Sequence, residues 1–333
     1  MSYELEDFDY ELPESLIAQR PVTPRDHSRL LVYDRESRTI TDSHFYDLPN
    51  WLPRDTTLVA NNSKVEKCRL LFDGGKREIF ATRVIHPTML EAMTRPGRHF
   101  RKGKKVALTD QLTAEVLDVS PDGLRTLELS HPLDDPIFDD VRSTPFPPYI
   151  RQDESLSERY QTVFARDSGS KAAPTAGLHF TPELIQSLKR QGVSWEEVTL
   201  HVGLGTFSPV KTDRIEDHVM HSEWYQIDAD TAERLNRAPH ITAVGTTSVR
   251  VLESAADRMG NLRGEVGETD IFIKPGDPFR RVQSLITNFH LPKSTLLMLV
   301  SAMTGLDEMH RIYRHAVRES YRFYSFGDAM LIR

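Results

Sequence analysis

The chain has 333 residues, of which 38% are hydrophobic and 27% charged, so it can bury more than one core and is not a disordered protein. Its net charge of −7 argues against a protein that coats nucleic acid without specificity. The single cysteine, Cys68, excludes an internal disulfide and is typical of a reducing compartment.

No segment predicts export or membrane insertion. The first seven residues, MSYELED, are acidic and lack the apolar core of a signal peptide. The longest apolar run, residues 296–300, is far too short to span a bilayer. We therefore expect a cytoplasmic protein.

Two proline-rich segments, residues 48–53 and 145–150, divide the sequence. Between them, turns rich in glycine and proline separate short apolar or alternating runs, and helical periodicity is almost absent. These runs predict strands at residues 57–60, 65–72, 78–85, 105–109, 112–119 and 124–129. Short strands in such close succession favour a small antiparallel β-barrel.

After residue 150 the pattern changes to alternating strands and helices. A helix is predicted from Thr181, a suitable N-cap, to Gly192, and a strand over residues 198–202. Further strands are expected at residues 241–244, 269–273 and 282–287, and further helices at 248–259 and 294–303. The sequence thus predicts an α/β main domain of residues 1–56 and 148–333, with an inserted small antiparallel β-barrel domain of residues 57–147.

Two segments carry a basic surface. Residues 95–105 include six lysines and arginines, with Phe100 among them. Near the C-terminus, four arginines recur every three or four residues and would share one helix face: Arg311, Arg314, Arg318 and Arg322. Either surface could neutralise phosphates, and either could be an ordinary solvated surface.

Histidine stands beside glycine in two loops, residues 171–180 (KAAPTAGLHF) and 199–207 (TLHVGLGTF). Glycine lets a ligand approach the backbone, and His179 and His201 could exchange protons near neutral pH. Hydrogen-bonded structural histidines are the alternative. On the strand, His201 is expected to face away from Val198, Leu200 and Val202.

Residues 243–250 (AVGTTSVR) read as a strand, a glycine turn and a helix start capped by Thr247 or Ser248, with Arg250 in the first turn. Free backbone N–H groups there predict a site for a carboxylate or phosphate. The glycines of a P-loop are missing around residues 169–171, and residues 203–205 lack the third glycine of a dinucleotide fingerprint.

Three other polar positions are candidates. His218, His221 and Glu223 could suggest a metal site, but the spacing fits no standard ligand set, so an acid/base role or a structural turn is favoured and no metal is predicted. Asn288 and His290 follow a strand at the sheet edge where α/β proteins bind ligands. Asp270 could bind ribose hydroxyls or cap a helix.

These segments together resemble the S-adenosylmethionine:tRNA ribosyltransferase-isomerase family of queuosine biosynthesis. The matching segments cover most of the chain: RDHSRLLV (25–32), NN (61–62), PPYI (147–150), RYQTV (159–163), AAPTAGLHFT (172–181), TLHVG (199–203), HSE (221–223), GTTSVR (245–250), NFHLPKST (288–295) and SFGDAMLI (325–332).

The resemblance implies that the ribosyl group of S-adenosylmethionine is transferred and isomerised onto 7-aminomethyl-7-deazaguanine at the tRNA wobble position. Epoxyqueuosine-tRNA, adenine and methionine would be the products. It implies no cofactor, since S-adenosylmethionine is consumed as a substrate, and the partners are this substrate and precursor tRNA, with the chain a monomer. A metal-dependent hydrolase and a non-catalytic RNA-binding module are the rival hypotheses.

The chemistry and the resemblance together nominate three sets of site residues. The catalytic candidates, His179 and His201 first, are His179, His201, His221, Glu223 and His290. The residues expected to bind S-adenosylmethionine are Gly203, Gly205, Thr206, Gly245, Thr246, Thr247, Ser248, Arg250, Asp270 and Asn288. Those expected to bind tRNA or its base are Arg25, Asp26, Tyr149, Arg159, Phe180, Arg98, Arg101 and Lys102, with Phe207 as a further stacking residue.

Overall fold

The computed structural model describes residues 3–203, 205, 210 and 212–333. The chain divides into two compact units, one formed by Met1–Lys64 with Pro147–Arg333 and the other by Val65–Phe146. Two residues nominated from the sequence, Thr206 and Phe207, lie outside the described residues.

The described strands are, in chain order, β1 (Arg29–Asp34), β2 (Thr39–His44), β3 (Thr56–Asn61), β4 (Ser63–Val65), β5 (Arg69–Phe72), β6 (Arg77–His86), β7 (Met89–Arg95), β8 (Lys105–Ala107), β9 (Thr113–Val119), β10 (Arg125–Leu129), β11 (Arg142–Ser143), β12 (Asp167–Ser170), β13 (Ser194–Leu200), β14 (Glu223–Ile227), β15 (His240–Val244), β16 (Glu265–Thr269), β17 (Ser284–Asn288) and β18 (Ala329–Ile332). The described α-helices are α1 (Leu48–Trp51), α2 (Pro182–Arg190), α3 (Ala229–Arg237), α4 (Thr246–Ala255), α5 (Thr295–Thr304) and α6 (Leu306–Arg318).

The first unit is built on a mixed nine-stranded sheet in the order β16-β14-β13-β3-β15-β17-β18-β1-β2. Its central strands β13, β3, β15 and β17 run parallel, and the outer pairs β13–β14 and β1–β2 are antiparallel. The predicted combination of strands and helices in this part of the chain is therefore observed.

Helices cover both faces of this sheet. Alternate residues of a strand point to opposite faces. Leu31 and Val59 accordingly belong to one buried cluster, to which α3, α4, α5 and α6 contribute. Leu30 and Leu58 belong to a second cluster, to which α2 contributes. Strands buried on both faces read as nearly continuous apolar runs, which is the pattern of a central parallel strand.

The strand predicted at residues 57–60 does not belong to the small domain. It is β3, whose six residues are all buried, and it pairs with β13 and β15 at the centre of the large sheet. The second unit begins at Val65, so the predicted boundary at residue 57 lies eight residues too early. Its apolar residues were compatible with a strand in either unit.

Helix α2 follows the sequence signals closely. The Thr181 hydroxyl accepts a hydrogen bond from the Leu184 N–H at 3.1 Å, Leu184 and Leu188 are buried, and Gly192 follows with a φ of +84°. A side-chain cap of this kind stabilises a helix by about 1 kcal/mol.

The second unit contains an antiparallel sheet of seven strands in the order β11-β5-β6-β7-β10-β9-β8. Buried Ala114 and Val116 alternate with more exposed neighbours along β9. Its edge strands, β11 and β8, do not pair with each other in the described part of the chain. The sheet is thus open rather than a closed barrel, and its status as an inserted domain stays a prediction.

Within the described ranges, no helix combines the length and the apolar character that crossing a membrane requires.

Candidate active site

A pocket lies where the carboxyl ends of β15 and β17 meet the first turn of α4. Six of the nominated residues line it together: Tyr149, Gly245, Thr246, Thr247, Asn288 and His290. Apolar side chains, including Val202, Leu291 and Leu296, form much of the remaining wall. Ligands of α/β proteins bind at this edge of a sheet, so the fold gives a physical reason for the position.

Gly245 shapes the entrance to α4. Its φ of +88° is in the left-handed region, which glycine adopts without strain, and Gly245 itself is the N-cap. The prediction that Thr247 or Ser248 caps the helix is wrong, because both already lie inside it. The Ser248 hydroxyl donates instead to the Val244 carbonyl at 2.8 Å.

The first turn of α4 presents unused donors to the pocket. A helix leaves its first N–H groups without intrahelical partners. Within the described part of the chain, the N–H groups of Thr246 and Thr247 have no acceptor. The Thr247 hydroxyl is also buried without a partner. The helix dipole adds partial positive charge at this point, which favours an anionic group.

Asn288 links the pocket wall to His179. Its Nδ2 donates to the Tyr324 carbonyl at 3.1 Å and to Nε2 of His179 at 3.1 Å. Both acceptors fix the amide orientation, so Oδ1 is the atom left over, and it is buried without a partner. A buried carbonyl oxygen without a donor is costly, typically about 1–3 kcal/mol, unless a ligand or water supplies one.

His179 itself is enclosed. Its Nδ1 contacts the Ser28 hydroxyl at 2.7 Å, its ring stacks on Phe45 with centroids 5.0 Å apart, and only 4% of the residue is exposed. Burial, assisted by the charges of Arg322 and Arg25, lowers the pKa of His179 to about 3. The ring is therefore neutral at pH 7, donates from Nδ1 and accepts at Nε2, which suits positioning of Asn288 more than proton transfer.

His290 is the nominated histidine that lines the pocket. Its Nε2 contacts the Thr287 hydroxyl at 2.7 Å, and its backbone N–H donates to the Tyr313 hydroxyl at 3.1 Å. Burial lowers the pKa of His290 to about 3. The imidazole is therefore neutral at pH 7.

Tyr149 stands on another wall of the pocket. Its hydroxyl lies 2.9 Å from Ser325 Oγ, and its ring packs against Tyr324 with centroids 4.6 Å apart. Burial raises the pKa of Tyr149, so its hydroxyl stays protonated.

His201 does not line this pocket. Its ring stacks on Trp224 with centroids 4.6 Å apart and packs on the backbone of Gly169, where a Cβ would lie 2.4 Å from the ring. The predicted direction of its side chain, away from buried Val198 and Leu200, agrees with its partial exposure.

Glu223 and Arg250 form a buried ion pair, with 4% and 7% of their side chains exposed. The carboxylate also accepts the Gly203 N–H at 2.7 Å, and Arg250 donates to the Thr269 carbonyl at 3.3 Å. Arg250 is thus paired with Glu223, and the expectation that it binds a substrate carboxylate stays a prediction. The same pairing engages the carboxylate that the metal-site hypothesis needs.

The remaining nominated residues near this region lie on the surface. His221 is exposed and packs over Gly205. Asp270 is exposed, because β16 ends at Thr269 and the predicted strand over residues 269–273 does not form. Over the described ranges no group of three or more histidines, cysteines or acidic residues is placed to hold a metal ion.

A second, smaller pocket brings together Arg25, Arg159, Ser28 and His179. Both guanidinium groups are held by uncharged acceptors: Arg25 by the Gln161 carbonyl at 2.7 Å, and Arg159 by the Thr23 hydroxyl at 2.9 Å. Burial, followed by the charge of Arg159, lowers the pKa of Arg25 to about 10. The two positive charges are close enough to repel each other and would be stabilised by an anion.

Asp26 accepts a hydrogen bond from the Thr181 hydroxyl at 3.2 Å and so ties the first strand region to α2. Phe180 is completely buried, edge-on to Phe45 and Trp195, so it cannot present a face to a nucleobase as expected.

In the second unit, Arg98, Arg101 and Lys102 are exposed as expected, and Lys102 pairs with Asp118 at 2.8 Å. The other basic surface is less regular than predicted, because α6 ends at Arg318 and Arg322 lies beyond it. Its Arg311 bonds Glu308 at 2.6 Å, which is the behaviour of a solvated surface.

Sequence reasoning did not nominate Ser28, Thr175, Tyr324 or Ser325, all of which line one of the two pockets. Ser325 begins the SFGD segment, where small and polar residues cluster after α6, and that clustering was an available signal. Ser28 contacts His179 across 151 residues of sequence, which no local pattern reveals.

Comparison with known proteins decides the family. Residues 5–332 match the family described as queuosine biosynthesis protein. The S-adenosylmethionine:tRNA ribosyltransferase-isomerase of Desulfitobacterium hafniense is 47% identical over 98% of this chain and 99% of its own length. That of Moorella thermoacetica is 48% identical with the same coverage. The chain belongs to the queuosine biosynthesis protein family.

A solved member of this family supports the fold. The crystal structure of the S-adenosylmethionine tRNA ribosyltransferase from Thermotoga maritima matches with a TM-score of 0.57. The two sequences are 39% identical, and the match covers 98% of this chain and 100% of the Thermotoga maritima chain. The resemblance read from the sequence is therefore confirmed.

Proposed function

We propose that this chain is an S-adenosylmethionine:tRNA ribosyltransferase-isomerase. It transfers and isomerises the ribosyl group of S-adenosylmethionine onto 7-aminomethyl-7-deazaguanine at the wobble position of tRNA. The products are epoxyqueuosine-tRNA, adenine and methionine. The observation that carries this proposal is the 47–48% identity, over 98% of the chain, to relatives that bear this name.

The pocket at the ends of β15 and β17 supports the reaction. A sulfonium acidifies the neighbouring ribose carbon, so the reaction needs a base, and departing adenine needs a proton. His290 lines the pocket as a neutral imidazole with a lowered pKa of about 3. The neutral imidazole is the form that can take the proton from carbon, and the imidazolium would then give that proton to adenine.

His179 supports the reaction indirectly. Both its ring nitrogens are engaged, Nδ1 with Ser28 and Nε2 with Asn288, so it holds the Asn288 amide in one orientation. It is a positioning residue in this proposal. The roles of His201 and His221 as proton carriers remain predictions.

Two basic regions would hold the tRNA. Arg25 and Arg159 line the smaller pocket, and among the described residues their guanidinium groups donate to the Gln161 carbonyl and the Thr23 hydroxyl, which are uncharged. Arg98, Arg101 and Lys102 are exposed on the second unit. Because phosphate contacts position the nucleic acid without reading its sequence, both regions are assigned to the backbone rather than to the base.

S-adenosylmethionine is the source of the transferred group, so the proposal includes neither a metal nor a redox cofactor. A tRNA substrate makes the cytoplasm the expected compartment. The protein is expected to act as a monomer.

The test is a single incubation of the purified chain with S-adenosylmethionine and tRNA that carries the aminomethyl precursor. Free adenine and modified tRNA should appear in equal amounts, and the modified tRNA should be heavier by the mass of the added ribosyl group. The matched control is the same tRNA with unmodified guanine at the wobble position, which should give neither. Formation of S-adenosylhomocysteine, the product of methyl transfer, would contradict the proposal.

A further inference from the structure

The lining of the main pocket has an unusual balance of charge. Of the described residues that line it, none is aspartate, glutamate, lysine or arginine, and the His290 imidazole is neutral at pH 7. A ligand with a net charge in this pocket would be unbalanced, which is expensive in a partly buried site. The pocket therefore fits a group that is neutral overall.

Yet the pocket also offers polar atoms of both kinds. The N–H groups of Thr246 and Thr247 and the Thr247 hydroxyl are donors that no described residue uses. Asn288 Oδ1 is a buried acceptor that no described residue uses, and Asn288 is only 2% exposed. Orphaned buried atoms in a native protein call for a partner that the chain alone does not supply.

Strand pairing places the two kinds of atom close together. Val244 of β15 lies opposite Ile286 of β17, and the Gly245 N–H donates to the Ile286 carbonyl at 2.8 Å. Thr246 and Asn288 are each two residues beyond this pair. Neighbouring strands lie about 5 Å apart, and Thr246, Thr247 and Asn288 all line the same pocket, so one ligand there can contact both kinds of atom.

We propose that this pocket holds the α-amino-acid end of S-adenosylmethionine. The carboxylate lies on the N–H groups of Thr246 and Thr247 and on the Thr247 hydroxyl, and the ammonium donates to Asn288 Oδ1. A zwitterion is neutral overall, carries an anion and a cation a few ångströms apart, and so meets each of the three observations. This assignment rests on the proposed function for the identity of the ligand.

The apolar wall suits the rest of the methionyl chain. Val202, Leu291 and Leu296 line the same pocket, and burial against such a wall stabilises methylene groups. Tyr149 and Tyr324 add aromatic rings, which favour contact with sulfur.

The test uses the intact chain and calorimetric titration with three small probes. These are L-methionine, methioninol, which lacks the carboxylate, and 4-(methylthio)butanoate, which lacks the ammonium. L-methionine should bind one per chain, and each analogue should bind at least about tenfold more weakly, because each loses a hydrogen bond to a charged group. Equal binding of all three probes, or no binding of L-methionine, would overturn the assignment.

A variant that removes the Thr247 hydroxyl locates the carboxylate. Two ligands are compared on the same variant, so a general effect on folding would weaken both. Thr247→Val keeps the shape and removes the hydroxyl, so L-methionine should bind about three- to tenfold more weakly while methioninol is unaffected. The matched control is Thr304→Val. The Thr304 hydroxyl donates to the Val300 carbonyl of its own helix at 3.0 Å, so its removal should change neither affinity. Equal weakening of both ligands by Thr247→Val would mean a structural effect and overturn the assignment.

The ammonium partner is tested in the same way with Asn288→Ala, which should abolish the preference for L-methionine over the deaminated probe. Adenine release by the same wild-type preparation separates the two proposals. Release of adenine with no selectivity among the probes would overturn the subsite alone. Selective methionine binding without adenine release would overturn the proposed reaction and leave an amino-acid site.

Discussion

Replacing Arg250 by leucine should destabilise the first unit severely. The Glu223 carboxylate that it neutralises has 4% of its side chain exposed, and the guanidinium 7%. Removing one partner of such a pair leaves an uncompensated buried charge, which costs about 3–5 kcal/mol. Because a domain is stable by only about 5–15 kcal/mol in total, this is a large fraction of the folding free energy.

A second substitution separates the charge from the packing. In the Glu223→Gln, Arg250→Leu double variant, the amide oxygen still accepts the Gly203 N–H and neither charge remains. The double variant should therefore be more stable than Arg250→Leu by about 1–3 kcal/mol. The exposed pair Arg234–Glu196 provides the control: its arginine side chain is 52% exposed, and Arg234→Leu should cost less than about 1 kcal/mol.

Urea unfolding followed by tryptophan fluorescence measures these differences. All three tryptophans, Trp51, Trp195 and Trp224, lie in the first unit, so the signal reports on the unit that contains the pair. An Arg250→Leu variant as stable as the parent, with a raised KM for S-adenosylmethionine, would refute the reasoning. That result would support the sequence-based expectation that Arg250 binds the substrate carboxylate.

Three further predictions follow from the pockets. His290→Ala should lower the rate of adenine release by about 10²-fold or more if the imidazole transfers a proton, and a near-normal rate would contradict that role. The pKa of His179 is about 3 in the folded protein and about 6.5 in the unfolded chain, so its contribution to stability is complete above pH 6.5 and is lost as pH falls. Between pH 7 and pH 5 the free energy of unfolding measured in urea should therefore fall by about 2 kcal/mol because of this residue. The His179→Asn variant should not show this part of the loss. Arg25→Ala and Arg159→Ala should raise the KM for tRNA and flatten its salt dependence without changing the KM for S-adenosylmethionine, whereas equal changes for both substrates would argue against a phosphate contact.

Local signals in the sequence predicted much of the first unit. The helix from Thr181 was predictable because its cap, its apolar stripe and its terminal glycine agree. The strand before Gly245 and the strand ending at Asn288 were predictable because each is a short apolar run followed by polar residues. These are the elements that place the pocket, so its location at the sheet edge was within reach of the sequence.

Side-chain partners were not predictable, because they are set by contacts distant in sequence. Glu223 and Arg250 are 27 residues apart, and only the fold shows that they neutralise each other rather than a ligand. Phe180 looked available for stacking until its burial was known. Strand β3 was assigned to the wrong unit because an apolar run does not say which sheet it joins.

The central claim is that S-adenosylmethionine binds at the carboxyl ends of β15 and β17. A crystal structure of the protein with this compound tests it most directly. The account predicts the ligand between the first turn of α4 and Asn288, with His290 facing its ribose. Density for the ligand elsewhere, with this pocket empty, would contradict the account.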